Sequence, residues 1–198
     1  MPNNIKIIDD YVKKVLSNET TGHDYFHANR VMNNALKIAE NENVNQEIIK
    51  VAALTHDLID KKVSNNVEKS LTALKAKLKE ASYLEELNEI INIIQTISYS
   101  KGDIPVSLEG KIVQDADRLD ALGAIGIART FAYGGKNNRM IYNPFKNDHL
   151  DSIAHFYDKL LKLKVLMNTE KGKLMAEEKT KYMEDFLRKF YQEWESKM

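Results

Sequence analysis

Three stretches of this chain place imidazole or carboxylate groups where the neighbouring residues ask for hydrocarbon. Segment 45–60 is apolar in nearly every direction (Ile48, Ile49, Val51, Ala52, Ala53, Leu54, Leu58, Ile59) and then reaches His56-Asp57. A helix apolar all round is a buried one, and an ionised Asp at its end is costly unless something pairs with it. Upstream, Val31, Ala35, Ile38 and Ala39 share one face of segment 24–43, and that face extended back one turn reaches His27. Downstream, Asp115, Asp117 and Asp120 lie among apolar neighbours midway along a third helix. One divalent cation would satisfy all three stretches together.

The ligand types narrow the choice of ion. Two imidazole nitrogens with two carboxylate oxygens suit Mn²⁺, Fe²⁺, Co²⁺, Ni²⁺ or Zn²⁺, and Mn²⁺ is the favoured expectation. Calcium prefers oxygen alone, and Mg²⁺ is held mostly by carboxylates and water. Four protein ligands on a six-coordinate ion leave two positions, enough for a water and a substrate oxygen. Such an ion lowers the pKa of water from about 15.7 towards about 7 and polarises a phosphoryl oxygen. The expected chemistry is metal-assisted hydrolysis of a phosphate ester or anhydride.

The elements that must carry these groups read as helices. Apolar residues recur near period 3.6 at Ile5, Ile8, Val12 and Val15, at Val67, Leu71, Leu74 and Leu78, and at Leu87, Ile90, Ile91, Ile94 and Ile97. Ser107 followed by Glu109 marks a helix start. That helix is expected to run through Ile112, Val113, Ala116 and Leu119 to about Tyr133, where Gly134-Gly135 stops it. A loop to about Asp148 follows, long enough to suggest a functional role over the substrate. Two last helices carry Ile153, Phe156, Tyr157, Leu160 and Met167, then Met183, Phe186, Leu187, Phe190 and Trp194. The sum is an all-α fold of about eight helices; 3 prolines and 8 glycines are too few for the turns of an all-β one.

Composition removes several function classes. With 29 basic and 29 acidic residues the net charge is zero, so no general attraction to nucleic acid or acidic membrane is built in. Any bound anion must meet a local site. The absence of cysteine excludes disulfides, thiolate metal sites and thiol nucleophiles. No run approaches the roughly 20 apolar residues of a membrane span, and the first residues lack the apolar core of a signal peptide, so a cytoplasmic location is expected.

The order His27, His56-Asp57, Asp117 resembles the H…HD…D signature of the HD-domain phosphohydrolases. The likeness extends to Thr21-Gly22-His23-Asp24-Tyr25-Phe26-His27-Ala28-Asn29-Arg30-Val31, to Ala52-Ala53-Leu54-Thr55-His56-Asp57 and to Val113-Gln114-Asp115-Ala116-Asp117-Arg118-Leu119-Asp120-Ala121. Residues 125–135 and the later His155-Phe156-Tyr157 fit the same bacterial subgroup, over about residues 20 to 195 in all. Some members of that subgroup are nucleoside triphosphate pyrophosphohydrolases. The resemblance implies one compact HD-type domain over residues 1–198, with about 149–198 packing as a C-terminal extension. It also implies hydrolysis of a (deoxy)nucleoside triphosphate to the monophosphate and pyrophosphate.

Carried over by position, the metal ligands are His27, His56, Asp57 and Asp117. Asp117 is preferred to its rival Asp115 because Ala116-Asp117-Arg118-Leu119 also resembles a motif of stringent-response alarmone hydrolases. Those enzymes place an acidic residue three positions after the HD aspartate, and Asp60 fills that place. On a helix it would stand one turn from His56 and Asp57, where it can orient or deprotonate the attacking water. Lys62 fits the basic residue that the subgroup places shortly after, a phosphate contact. Lys61 departs from the alarmone hydrolases, which carry a second acidic residue there, and argues against their substrate.

The remaining candidates have competing readings. His23 is a substrate contact or a surface residue, and Asp24 beside it is a helix N-cap. Arg30 and Arg129 either bind phosphate or form ordinary salt bridges. His155 lines a pocket or the core. The Phe186, Phe190, Trp194 spacing is helical, so it marks a core face or a homodimer contact. Two rival functions keep the nucleotide as partner: a nucleoside monophosphatase or cyclic phosphodiesterase, and a sensor in which the metal only staples the fold.

Overall fold

The computed structural model describes residues 3–17, 22–61, 63–97, 103–145 and 150–196. Lys62 and His149 lie outside the described residues. Among those described there are nine α-helices and no strand, so the all-helical expectation holds and the expected count of about eight falls short by one. None of these helices is long and apolar enough to cross a membrane. The chain divides into two compact units, Met1–Asp117 and Arg118–Met198.

The first unit is built around a buried central helix. Helix α1 (Asn3–Val15), α2 (Tyr25–Ile38), α3 (Gln46–Thr55), α4 (Val67–Glu80), α5 (Leu87–Thr96) and most of α6 (Leu108–Asp120) belong to it. Helix α3 packs against α1, α2 and α5, which is why its apolar residues point in every direction. Ile49, Val51, Ala52, Ala53 and Leu54 are all at most 1% exposed. Around them sit Ile8 and Val12 of α1, Val31 and Ala35 of α2, and Ile90 and Ile93 of α5, equally closed to water. Truncation of such a residue, Leu54→Ala for instance, removes about 2–5 kcal/mol.

Caps fix where the site-bearing helices begin. The Asp24 carboxylate accepts from the His27 amide at 2.7 Å and Asn45 accepts from the amides of Glu47 and Ile48, closing the N-termini of α2 and α3. Ser107 Oγ accepts from the Gly110 amide, and the Glu109 side chain accepts from the Asn45 amide at 2.9 Å. The start of α6 is thereby tied to the start of α3.

Helix α3 stops five residues earlier than its apolar pattern suggests. It gives way at His56 to a 3₁₀ turn, His56–Ile59. The His56 ring lies 2.8 Å from the Ala53 carbonyl, which an α-helix would offer to the amide of residue 57. A side chain thus takes the acceptor that helical propagation needs.

The second unit corrects the reading of a single helix running to Tyr133. Helix α6 ends at Asp120, and α7 (Gly123–Lys136) starts after an elbow. Leu122 is extended there and Gly123 has φ +71°, a left-handed conformation that glycine adopts without strain. Nor do the two later glycines stop the helix, since α7 continues through Gly134 and Gly135 to Lys136. Gly134 is needed for space instead, because a Cβ there would overlap Ser152 Oγ. Helix α8 (Ser152–Asp158) follows, then a 3₁₀ stretch Leu160–Leu166 where one longer helix was expected, then α9 (Glu170–Trp194). Phe131, Phe156, Phe186 and Phe190 form a ring cluster with centroids 5.9–6.1 Å apart, and Tyr142 packs on Trp194 at 5.2 Å. Phe186 and Phe190 are half-buried in this cluster, while Trp194 at the end of α9 is 48% exposed.

Candidate metal centre

His27 enters the first turn of α2 directly behind its Asp24 cap and is 1% exposed. His56 and Asp57 open the 3₁₀ turn at the end of α3, 5% and 7% exposed. Asp117 comes from α6, its side chain 30% exposed. Three separate helical segments thus bring four side chains together. His27 Nε2 lies 3.2 Å from His56 Nε2, 3.3 Å from Asp57 Oδ2 and 3.5 Å from Asp117 Oδ1. His56 Nε2 lies 3.4 Å from Asp57 Oδ1 and 3.6 Å from Asp117 Oδ1.

These separations are those of donors sharing an ion. Ligands about 2.1 Å from a metal stand about 3.0 Å apart at right angles and about 3.4 Å apart in a tetrahedron. The orientation of His56 fits as well. A neutral His56 donates its Nδ1–H to the Ala53 carbonyl, which leaves the Nε2 lone pair aimed at the cluster. Asp117 keeps the group partly open to solvent, as a reacting site requires.

Electrostatics shows how strongly the group demands positive charge. Burial opposes protonation of His56, but the Asp57 and Asp117 carboxylates outweigh it and push its pKa up to about 10. Burial likewise disfavours the Asp57 carboxylate, yet His56, His23 and His27 hold it well below the usual range. Asp117 is lowered too, burial being overcome by its bond to His56 and the fields of His56 and His27. Protons on imidazole and a divalent cation are alternative ways to balance the same two carboxylates.

The other expected residues fall in different places. His23 is bonded to the cluster itself, its Nδ1 2.8 Å from Asp57 Oδ2 and its ring edge-on to His27. Asp60 stands half-buried just past the 3₁₀ turn, in extended conformation and not on a helix one turn from His56. Arg30 is half-buried on α2. In the second unit, the Arg129 guanidinium lies 2.7 Å from Asp120 Oδ2, forming a salt bridge. His155 is half-buried on α8, its pKa lowered by burial and by Lys159 and Arg139. Asp115, the rival ligand, is fully buried, and the two groups among the described residues whose atoms are close enough to hold an ion, His23 with His27 and Asp57 and His27 with His56 and Asp117, leave it out.

Residues 25–122 match the HD domain family. A Bacillus subtilis protein, YpgQ, is 40% identical over 186 residues, covering 91% of this chain and 89% of its own. The chain belongs to the HD-domain family. The crystal structure of YpgQ in complex with ADP has a TM-score of 0.83 at 37% identity, covering 96% of this chain and 94% of that one. An HD-superfamily hydrolase from Bacillus thuringiensis has a TM-score of 0.81 at 43% identity, with coverage of 98% and 97%. A predicted HD-superfamily hydrolase from an uncultured Thermotogales bacterium is more distant, with a TM-score of 0.66 at 27% identity over 96% and 92%. The family, the neighbouring hydrolases and a His/Asp cluster able to hold a metal together make this an HD-superfamily hydrolase.

Proposed function

We propose that this protein is a metal-dependent phosphohydrolase that cleaves nucleoside triphosphates to the monophosphate and pyrophosphate. The observation that carries the hydrolytic part is the convergence of His27, His56, Asp57 and Asp117, with donor atoms 3.2–3.6 Å apart. The nucleotide part is supported by YpgQ, which has been crystallised with ADP and is similar along nearly the whole chain. When bound, the ion supplies Lewis acidity toward phosphoryl oxygens and makes water nucleophilic near neutral pH. Mn²⁺ is the favoured ion, since the mixed nitrogen and oxygen set is poorer for Ca²⁺ or Mg²⁺.

The residues divide the remaining work. Water adds its oxygen to the α-phosphorus, and the bond from that phosphorus to the α–β bridging oxygen breaks, releasing pyrophosphate. Asp60, directly after the ligand-bearing turn, is proposed to orient the water and accept its proton. Lys62 and Arg30 are proposed as phosphate contacts that neutralise charge as the leaving group departs.

Product analysis tests this reading. Purified protein with Mn²⁺ and a mixture of ribo- and deoxyribonucleoside triphosphates should release pyrophosphate and monophosphates. Release of inorganic phosphate from monophosphates instead would assign a phosphatase, and ligand binding without turnover would assign a sensor.

A further inference from the structure

His23 is the one imidazole of the cluster that the proposed metal site leaves without a task. Its Nδ1 lies 2.8 Å from Asp57 Oδ2, closer than any pair among the four donors and inside hydrogen-bond range. Two ligands at right angles on one ion would stand about 2.8–3.1 Å apart, so this pair sits at the short limit of that range. The contact has the length of a hydrogen bond in which the Nδ1–H donates and the carboxylate accepts, although His23 with His27 and Asp57 also forms a group whose atoms are close enough to hold an ion. Asp57 then has both oxygens engaged: Oδ1 faces His56 Nε2 at 3.4 Å, while Oδ2 is held by His23 and faces His27 Nε2 at 3.3 Å.

The backbone delivers His23 to that position. Gly22 precedes it with φ +92°, and Asp24 follows in extended conformation with its carboxylate locked onto the α2 terminus. The His23 ring also meets His27 edge-on, centroids 5.6 Å apart at 89°. With 18% of its side chain exposed, it stands at the border of the cluster and not in its centre.

We propose that His23 is a positioning residue of the metal site, its Nδ1–H fixing Asp57 Oδ2 so that the carboxylate meets the ion in one orientation. This rests on the reading of His27, His56, Asp57 and Asp117 as a metal site. Partners that orient ligating carboxylates typically contribute about 10–100-fold to metal affinity. His23 then acts through Asp57, in place of the substrate contact that the sequence suggested.

The test is Mn²⁺ titration by calorimetry, without nucleotide, on the wild type and three variants. His23→Ala should weaken binding about 10–100-fold. His23→Asn should recover most of that loss, because the amide nitrogen occupies the place of Nδ1 and donates the same bond without ligating. Gly22→Ala keeps the imidazole but strains the turn that aims it, and should fall between the two. Equal affinity of wild type and His23→Ala overturns the proposal. Equal loss in the Ala and Asn variants overturns it differently, by making His23 a ligand. If the wild type binds no Mn²⁺, the metal reading fails first and the proposal with it.

Discussion

Asp117 and Asp120 stand one turn apart on α6, and their surroundings differ in kind. Asp120 is 2% exposed and faces a guanidinium of the protein's own, Arg129 at 2.7 Å. Asp117 is 30% exposed and faces imidazole nitrogens at 3.5 and 3.6 Å. Arginine stays charged throughout the accessible pH range, whereas an imidazole is charged only while it keeps its proton. A carboxylate with a permanent internal counter-ion serves the fold. One facing nitrogen lone pairs has its countercharge supplied from outside, and only the second arrangement can exchange that charge for a metal.

The sharpest way to break this contrast is to remove the ligands. Asp57→Ala and Asp117→Ala should each abolish bound Mn²⁺, and nucleotide turnover should fall by more than about 100-fold, beyond the effect of losing a partner residue. Metal content measured beside activity on the same preparation checks this, and equal values in variant and wild type would remove the contrast. Arg129→Ala should do the reverse. It strips a buried carboxylate of its guanidinium and should cost about 3 kcal/mol in denaturant unfolding, with Mn²⁺ content per folded molecule unchanged.

A pH titration sharpens the comparison further. Asp57 and Asp117 raise His56 to about 10 against the cost of burial, so Nε2 must shed a proton before it can bind an ion. Mn²⁺ affinity should therefore rise with pH towards that value, with proton release visible in calorimetry in buffers of different ionisation enthalpy. In the metal-free protein the sign is opposite. The raised pKa stabilises the fold below the unfolded value near 6.5 and that contribution fades as pH climbs through about 10. The smallest effect belongs to Asp24→Ala, which removes the α2 cap behind His27 and should cost about 1 kcal/mol of stability.

Much of this was legible before any coordinates, for a reason visible in α3. A helix apolar on all sides can only be central, so the polar pair at its end had to lie in the interior, and the apolar stripe of α2 pointed to His27 in the same way. The family resemblance then chose Asp117 over Asp115, a choice that spacing had left open. The elbow between α6 and α7 was hidden because apolar periodicity runs unbroken through Leu119, Leu122 and Ile125, and Gly123 is one small residue among several. Gly134 misled in the opposite direction, its lack of a side chain serving close packing against Ser152 and not helix termination. The bond from His23 to Asp57 joins residues 34 positions apart, and no local pattern encodes it.

The 3₁₀ turn His56–Ile59 also sets what lengths of chain this architecture tolerates. Each residue in such a turn rotates the next by about 120°, so one residue inserted between Thr55 and Leu58 would swing a donor about a third of a turn away from the cluster. Gain and loss of sequence in descendants of this chain should therefore spare the stretch from Ala53 to Ile59, which keeps its length.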